Sequence, residues 1–320
     1  MVKALMSGTV LLAAASAALS QPYPAKPVTI IVASVVGGPT DIVGRLVAQM
    51  LGEVLGQTVI VENRTGAGLT VGTTYAARAR PDGYTLTIAS PSSHSIAPGL
   101  YPSLPYDPVK DFEPISLLFT SPTALVVHPS IPVKTLKEFI AFARARPGQL
   151  NYGSGGNGTT SHLTGELFKT RAGVDIVHVP YKGSGPAATD LVAGQIHAMF
   201  QGLHLALPFV RSNRLRVLGV TSPKRSPMAP EVPTLDEAGL PGFSSSTWYG
   251  VMAPAATPRP IIDQLNAALL KSLNAPGMRQ KVAEQGLTPV GSTPEAFAAT
   301  LQDEIRTWTK VIRQSGARVD

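Results

Sequence analysis

The apolar residues of this chain follow two alternating patterns, short continuous runs and longer stripes at helical spacing. The run "PVTIIVAS" at 27–34 is typical of a strand that is buried on both faces. In the next segment, apolar residues recur at helical spacing from Ile42 to Leu55. Pro39 precedes this stripe and Gly56 follows it, so the pattern predicts an amphipathic helix that begins at a proline and ends at a glycine.

The alternation of strand and helix continues along most of the chain. Thr135 and Glu138 have the spacing of a capping box at the start of one predicted helix. Repeated strand–helix units predict an α/β fold of doubly wound, parallel sheets with helices on both faces. Near the C-terminus we expect helices only, at about 259–273, 277–285 and 294–314, with Trp308 in the core. The predicted strands after the first are "TVIVEN", "YTLTIAS", "ISLLF", "TALVVHP", "LNYGS", "DIVHVP", "IHAMF", "RLRVLGV" and "WYGVMAP".

The length of 320 residues predicts two domains, at roughly 150 residues each. No Gly/Ser-rich linker separates two halves, so we expect the chain to cross between domains within ordered segments. The predicted crossings lie near 118–125 and 243–250. Domain 1 is then discontinuous, with residues 21–121 plus 247–320, and domain 2 is an insertion of residues 122–246.

The first twenty residues have the pattern of a secretory signal peptide. Lys3 precedes an apolar stretch at 4–15 that is too short for an ordinary membrane helix, and small residues follow it. The sequence allows cleavage after Ala17 or after Ser20. The chain has no cysteine, which argues against a small disulfide-bonded extracellular scaffold. We therefore predict a signal peptide at 1–20 and a location in the bacterial periplasm.

The charge of the chain argues against nucleic acid as a partner. Lys and Arg number 27 against 20 acidic residues, a net charge of +7. The basic residues are scattered, and the short runs at 211–216 and 224–225 lack the interleaved aromatic residues that a nucleic-acid surface uses. A weak field that attracts anions is the simpler interpretation.

Glycine-rich loops that lead from a predicted strand into a predicted helix recur along the chain. They lie at 35–41, 63–74, 152–162 and 181–190 and are rich in Ser, Thr and Asn. A helix N-terminus leaves backbone N–H groups unpaired, and glycine allows a ligand to approach them. In open α/β sheets such loops at the carboxyl ends of strands bind ligands. Their neutral donors favour a carboxylate over a polyphosphate.

Other interpretations of the glycines find less support. Gly153, Gly155 and Gly158 match G-x-G-x-x-G, but the next strand ends in Val179-Pro180 without the acidic residue that binds ribose. The alternative that the glycines only form tight turns remains open for any single loop. No Gly-Lys-Ser/Thr motif follows any of these loops, which argues against a P-loop.

Motifs for catalysis and for metals are weak as well. Ser154 and Ser184 lie between glycines but lack the glycine two positions upstream that a nucleophile elbow requires. The six histidines have no metal-ligand spacing, and we expect no metal and no cofactor. His94 and His162 lie beside ligand loops, where each could contact a ligand or be held by the local backbone.

Seven segments in order carry a resemblance to a known family. They are "GGPTDIVGRLVAQMLGEVLGQTVIVENRTGAG", "LPYDPVKDFEPIS", "NYGSGGNGTTSHLTGELF", "VPYKGSGPAATDLVAGQI", "RLRVLGVTSPKRSP", "EVPTLDEAGLPGF" and "WYGVMAPAATP". Over nearly the whole mature chain the sequence resembles the Bug proteins, the extracytoplasmic solute receptors of the tripartite tricarboxylate transporter family. The resemblance implies a type II-like periplasmic-binding-protein fold, in which two α/β domains close on a small carboxylate.

The resemblance also implies a set of ligand-binding residues. In the family, the loop after the first strand and the loop that matches 153–161 hold one carboxylate, partly through ordered water. The segment "ASPSSHS" matches a further cleft loop, and the loop at 181–190 adds Lys182 and Gly183. The predicted ligand-binding residues are Gly37, Gly38, Pro39, Thr40, Asp41, Ser90, Ser92, Ser93, Asn157, Thr159, Thr160, Ser161, Lys182, Gly183 and Gln201.

The sequence departs from the family pattern at the far end of the implied site. "ASVV" precedes Gly37 where an aromatic residue or proline is common, and Leu69 replaces a small residue. His197 and Gln201 stand where aspartate is frequent. We therefore expect a carboxylate without an α-ammonium group, although Asp41 remains an alternative partner for such a group.

The predicted function is a monomeric, non-catalytic receptor that delivers a small carboxylate to a transporter of the tripartite tricarboxylate type. Two alternatives stay open at this point. One is a periplasmic hydrolase with a serine nucleophile. The other is a receptor that delivers its ligand to a sensor.

Overall fold

The computed structural model of the protein describes residues 23–317, so the predicted signal peptide lies outside the described residues. Eleven strands form two separate sheets within this range. The strands are β1 (Val28–Val32), β2 (Val59–Asn63), β3 (Thr85–Ala89), β4 (Phe112–Ser121), β5 (Thr123–Val127), β6 (Asn151–Ser154), β7 (Val177–Pro180), β8 (Ala198–Gly202), β9 (Arg216–Val220), β10 (Thr247–Pro254) and β11 (Thr288–Pro289).

The two sheets draw their strands from different parts of the sequence. The six-stranded sheet has the order β11-β4-β10-β3-β1-β2 and takes its strands from 28–121 and 247–289. The five-stranded sheet has the order β7-β6-β8-β5-β9 and uses only residues 123–220. Strands β4 and β5 are separated by Pro122 alone. The chain therefore leaves the first sheet at Pro122 and rejoins it at β10.

The expectation of parallel sheets is wrong for the strands next to these crossings. Strand β10 pairs antiparallel with β3 and β4, and β5 pairs antiparallel with β8 and β9. The edge strand β11 also pairs antiparallel with β4, and the β1–β2, β1–β3, β6–β7 and β6–β8 pairs are parallel. Two neighbouring strands of one sheet run parallel when a crossover helix connects them. A strand that arrives from the other sheet has no such connection, so its direction is not constrained in this way.

Helices cover both faces of each sheet, with a 3-10 segment (Ala67–Leu69) and a π-helical segment (Pro91–Ile96) beside them. The expectation of helices only after β10 is wrong, because β11 adds a short edge strand to β4. The helices are α1 (Pro39–Leu55), α2 (Thr70–Ala77), α3 (Ala97–Leu100), α4 (Leu136–Arg144), α5 (Thr160–Ala172), α6 (Ser184–Val192), α7 (Leu203–Arg211), α8 (Arg259–Leu273), α9 (Pro276–Glu284) and α10 (Pro294–Ser315).

Helix boundaries follow the predicted end signals. Helix α1 begins at Pro39 and ends before Gly56, which has the left-handed conformation (φ 66°) that favours glycine. At the start of α4, the Thr135 hydroxyl accepts a hydrogen bond from the Glu138 N–H. The Glu138 carboxylate accepts from the N–H of Lys134 instead of Thr135, so only half of the predicted capping box forms.

Helix α10 packs against helix α5, which covers the other sheet. Trp308, 2% exposed, lies in an apolar cluster with Leu163 of α5 and Ile96. Its position in the core is therefore as predicted. The indole N–H of Trp308 donates to the Glu304 carboxylate at 2.8 Å, which satisfies the one polar atom of the ring. No helix within 23–317 has both the length and the apolar character that a membrane span requires.

Candidate ligand-binding cleft

A cavity of about 260 Å³ lies where the ends of strands from both sheets meet. Loops after β1 and β3 reach it from one side, and loops after β6 and β8 reach it from the other. The crossing strands β4, β5 and β10 supply residues as well. The lining consists of Pro39, Thr40, Leu69, Ser90, Ser92, Ser121, Thr123, Thr159, Thr160, Ser161, Ser184, Phe200, Gln201, Gly202, His204, Leu205, Thr247 and Tyr249.

The lining contains no lysine, arginine, aspartate or glutamate. Its titratable side chains are those of His204 and Tyr249. Burial lowers the pKa of His204, which favours the neutral imidazole. Burial raises the pKa of Tyr249, which favours the neutral phenol. At neutral pH the cavity therefore presents uncharged hydroxyl, amide and imidazole groups beside apolar walls.

Four helices begin at the cavity, and they supply positive potential without a charged side chain. Thr40 lies in the first turn of α1, Thr160 in that of α5, Ser184 in that of α6 and His204 in that of α7. First-turn N–H groups have no partner within a helix, and the helix dipole favours negative charge near them. The arrangement suits an anion whose charge is neutralised by N–H groups and hydroxyls.

The glycines of the loop before α5 shape the turn, and their N–H groups bond within the loop. Gly156 donates its N–H to Ser154 Oγ at 3.1 Å, and Gly158 donates its N–H to His162 Nδ1, also at 3.1 Å. Gly156 (φ 126°) and Gly158 (φ 76°) have backbone conformations that favour glycine. These two amides are therefore already bonded, which leaves the first-turn amides of α5 as the donors to an anion.

Thr159 caps α5 and is committed to the fold of its loop. Its Oγ1 accepts from the His162 N–H at 3.4 Å and donates to the Gly156 carbonyl at 2.7 Å. Replacing such a cap costs roughly 0.5–2 kcal/mol of stability. Thr160, the first residue of the helix, is different: its Oγ1 contacts Ser92 Oγ at 3.4 Å, which links the two sides of the cleft.

Asp41 organises the loop before α1 from a buried position. It is 1% exposed, and its Oδ2 accepts from the Gly37 N–H (2.9 Å) and from Arg45 Nε (3.0 Å). Its Oδ1 accepts from Asn63 Nδ2 at 2.9 Å. Burial by itself raises the pKa of Asp41, but these three donors together hold it below its usual value. Both carboxylate oxygens are thus engaged by the protein.

The structure brings together part of the predicted residue set. Pro39, Thr40, Ser90, Ser92, Thr159, Thr160, Ser161 and Gln201 line the cavity. Gly37, Gly38, Asp41, Ser93, Asn157, Lys182 and Gly183 lie outside its lining. Asp41 and Ser93 support neighbouring loop residues instead, since the Ser93 hydroxyl is 3.2 Å from the Ser90 N–H and 2.9 Å from His94 Nδ1.

Sequence reasoning missed the lining residues of the crossing strands. Ser121, Thr123 and Thr247 lie at the ends of β4, β5 and β10 and were not among the predicted binding residues. A signal for them was present, because the sequence places the chain crossings near 118–125 and 243–250. Residues at a crossing between two domains adjoin the cleft between those domains.

Comparison with known proteins identifies the family. A family model described as "Tripartite tricarboxylate transporter family receptor" matches residues 43–317. The chain belongs to this family. The predicted α/β periplasmic-binding-protein fold and the resemblance to the Bug proteins are thereby confirmed.

Individual relatives of this receptor cover most of its length. BugT of Bordetella pertussis is 40% identical over 299 residues, which is 93% of this chain and 91% of BugT. The structure of R. palustris Rpa4515 with adipate is 37% identical with a TM-score of 0.83, and the match covers 93% of this chain and 100% of that one. The structure of MatC from Rhodopseudomonas palustris "with bound malate" is 36% identical with a TM-score of 0.79, covering 91% and 100%.

The serine–histidine contacts of the receptor lie away from the cavity lining. Ser154 Oγ is 2.6 Å from His178 Nε2, but Ser154 has no exposed surface. Ser93, in contact with His94, is 2% exposed. A third contact joins His128 Nδ1 and Ser130 Oγ at 2.8 Å at the surface. None of the three histidines is hydrogen-bonded to a carboxylate in the described part of the chain, and a catalytic triad needs such a partner. Residues 23–317 also contain no cluster of His, Asp or Glu arranged to hold a metal.

Two buried histidines, His94 and His162, and the half-buried His178 hold ligand loops in place. The rings of His162 and His178 stack at 4.0 Å, and each contacts the loop 154–158 through a nitrogen atom. Burial lowers the pKa of His162, and it lowers the pKa of His178 to about 3. His94 is fully buried, and burial lowers its pKa to about 3. The structure thus shows both His94 and His162 engaged by local groups outside the cavity lining.

We predict that the receptor loses stability in acid because of these neutral histidines. The folded-state pKa of His94 lies below the unfolded value of about 6.5. The stability that the neutral, buried imidazole contributes is therefore fully present above pH 6.5 and is lost as pH falls. Between pH 7 and pH 5, His94 alone should reduce the free energy of unfolding by about 2 kcal/mol. Urea unfolding of the wild type and of His94→Gln at the two pH values measures this. His128→Gln, at a more exposed histidine, is the control, and an equal loss in all three proteins contradicts the prediction.

Proposed function

We propose that this receptor binds a small carboxylate in the cleft and delivers it, in the periplasm, to a membrane transporter of the tripartite tricarboxylate type. The observation that supports this most directly is the convergence of four helix N-termini on a cavity without charged side chains. The hydroxyl residues Ser92, Thr160 and Ser161 line the same cavity as these helix N-termini. Together these groups donate hydrogen bonds to an anion.

The size and chemistry of the cavity favour a carboxylate over a polyphosphate. No lysine or arginine reaches the lining, and burying several charges without a cation is costly. The cavity of about 260 Å³ is also small for a nucleotide, since ligand pockets commonly have about 300–1,000 Å³. Rpa4515 with adipate and MatC with malate hold small carboxylates, which agrees with the proposal.

Closure of two domains on the ligand is part of the proposal. The division into residues 21–121 plus 247–320 and residues 122–246 follows the partition of strands between the two sheets. The contact of Ser92 Oγ with Thr160 Oγ1 joins loops from the two sides of the cleft. A ligand that bonds to both loops then stabilises the closed arrangement.

We predict that the ligand has no α-ammonium group. A buried ammonium needs a carboxylate partner, and no acidic residue lines the cavity. Asp41 is bonded to Gly37, Arg45 and Asn63 instead. Calorimetric titration with succinate, adipate, nicotinate, aspartate and glutamate should show binding of at least one of the first three and weaker binding of both amino acids. Recovery of unaltered ligand afterwards tests for turnover. Tight binding of an amino acid alone contradicts this prediction.

We predict that Thr160→Val weakens the binding of the best ligand from that series by about ten- to a hundredfold. This range corresponds to the loss of one hydrogen bond to a charged group. The change keeps the shape of the side chain and leaves the capping residue Thr159 intact. Thr170→Val is the matched control, because Thr170 lies on the exposed side of the same helix and bonds to the Glu166 carbonyl. Equal ligand affinities of the two variants would contradict a hydrogen bond from Thr160 to the ligand.

A further inference from the structure

The turn between β2 and α2 places Leu69 at the ligand cavity in a left-handed backbone conformation. Four consecutive residues have a positive φ: Gly66 (138°), Ala67 (42°), Gly68 (62°) and Leu69 (79°). Among the residues that line the cavity, all of them within 23–317, Leu69 is the one with a positive φ. Glycine adopts this conformation without a steric cost, whereas the Cβ of a leucine makes it unfavourable. Residue 69 thus carries a conformational cost that a glycine would avoid.

Backbone and threonine groups hold this left-handed turn, so its shape does not depend on the Leu69 side chain. The Leu69 N–H donates to the Gly66 carbonyl at 3.0 Å. The Thr70 hydroxyl donates to the Ala67 carbonyl, and the Thr73 hydroxyl donates to the Leu69 carbonyl, both at 2.8 Å. A glycine at position 69 would keep all three bonds. The turn therefore does not require a leucine.

The apolar core does not account for the leucine either. Leu69 is half-buried and belongs to none of the apolar clusters within 23–317. It lines the ligand cavity instead. Residues in sparsely populated backbone conformations cluster at ligand-binding sites, where the conformation is part of the mechanism. The cavity is therefore the place where a side chain at position 69 has a role.

A second leucine, Leu205, lines the same cavity from the other side of the cleft. It lies in the first turn of α7, after β8 of the five-stranded sheet, whereas Leu69 follows β2 of the six-stranded sheet. Leu205 is 46% exposed and also lies outside the apolar clusters within 23–317. Two branched apolar side chains thus border a cavity of about 260 Å³, which is below the common range of about 300–1,000 Å³. A chain of methylene groups can bend past such side chains and gain apolar contact, whereas a rigid ring cannot bend.

We propose that Leu69 is a specificity-determining residue, which favours a carboxylate with a narrow aliphatic body over one with an aromatic ring. The leucine side chain adds apolar surface for the methylene groups of the ligand, and it occupies space that a ring would need. The proposal rests on the carboxylate-binding function and adds the shape of the ligand to it. A leucine at this strained position then does what a glycine could not do.

Two pairs of acids of matched length test this selectivity by calorimetry. The pairs are hexanoate with 4-methylbenzoate and adipate with terephthalate, and in each pair a ring replaces the methylene chain between the same end groups. We expect the wild type to bind the chain acid about tenfold or more tightly than the ring acid in at least one pair.

Leu69→Gly keeps the backbone conformation of the turn and removes the side chain. The ring acid should bind about tenfold more tightly to this variant than to the wild type, because space is opened. The chain acid should bind about three- to tenfold more weakly, because contacts with roughly one or two methylene groups are lost. Ala67→Gly is the matched control, since it also places a glycine at a left-handed position of the same turn, at an exposed residue outside the cavity lining. It should leave all four affinities unchanged, and thermal unfolding of each variant verifies that it is folded.

Leu69→Asn separates the size of the side chain from the flexibility that a glycine introduces. Asparagine tolerates the left-handed conformation and is similar to leucine in shape. The ligand 4-methylbenzoate, whose far end is apolar, should therefore bind to this variant no more tightly than to the wild type.

The outcomes separate the role of Leu69 from the proposed function. Equal binding of chain and ring acids by the wild type, or tighter binding of the ring acids, overturns the role of Leu69 and leaves the carboxylate function standing. The same holds if Leu69→Gly leaves the selectivity unchanged, or if Ala67→Gly shifts it equally. It also holds if Leu69→Asn binds 4-methylbenzoate as tightly as Leu69→Gly does. Absence of binding by all four acids contradicts the carboxylate function, and the role of Leu69 with it.

Discussion

The direct passage of β4 into β5 through Pro122 is the constraint on which the cleft depends. It fixes the end of one sheet against the beginning of a strand in the other, so that the loops at the strand ends of both sheets face each other. The Pro122 carbonyl also accepts a hydrogen bond from the Leu203 N–H, which ties the start of α7 to the same point. Helix N-termini that would otherwise face solvent are thereby directed into one cavity.

This arrangement allows an anion to be bound without a counter-charge. A lysine or arginine in the cavity would need desolvation, and it would leave an unpaired charge when the ligand departs. Backbone N–H groups and hydroxyls avoid that cost, because they are neutral in the empty state. The charged residues Asp41 and Arg45 lie outside the cavity lining, where they hold the loop before α1 in shape.

Much of the fold could be predicted from the sequence, because helical stripes and buried strands have strong local patterns. The boundaries of α1 follow from Pro39 and Gly56, and the positions of the crossings follow from the order of elements. The strand directions at β5 and β10 could not be predicted, since they depend on a connection between sheets. The same limit applies to the site: glycine loops are visible locally, but whether Asp41 faces a ligand or Asn63 of β2 is decided by tertiary packing.

His162 and Asp41 share one physical role in this receptor. Each is a side chain that accepts a hydrogen bond from a loop backbone N–H group next to the cavity: Gly158 for His162 and Gly37 for Asp41. A loop fixed in this way does not have to be ordered by the ligand, so less binding energy is spent on conformational entropy. The glycines are then needed for the shape of the loop. In the proposed function Thr160, rather than the capping Thr159, contacts the ligand. This division of roles explains why the two residue types stand side by side in "GGPTD" and "GSGGNGTTS".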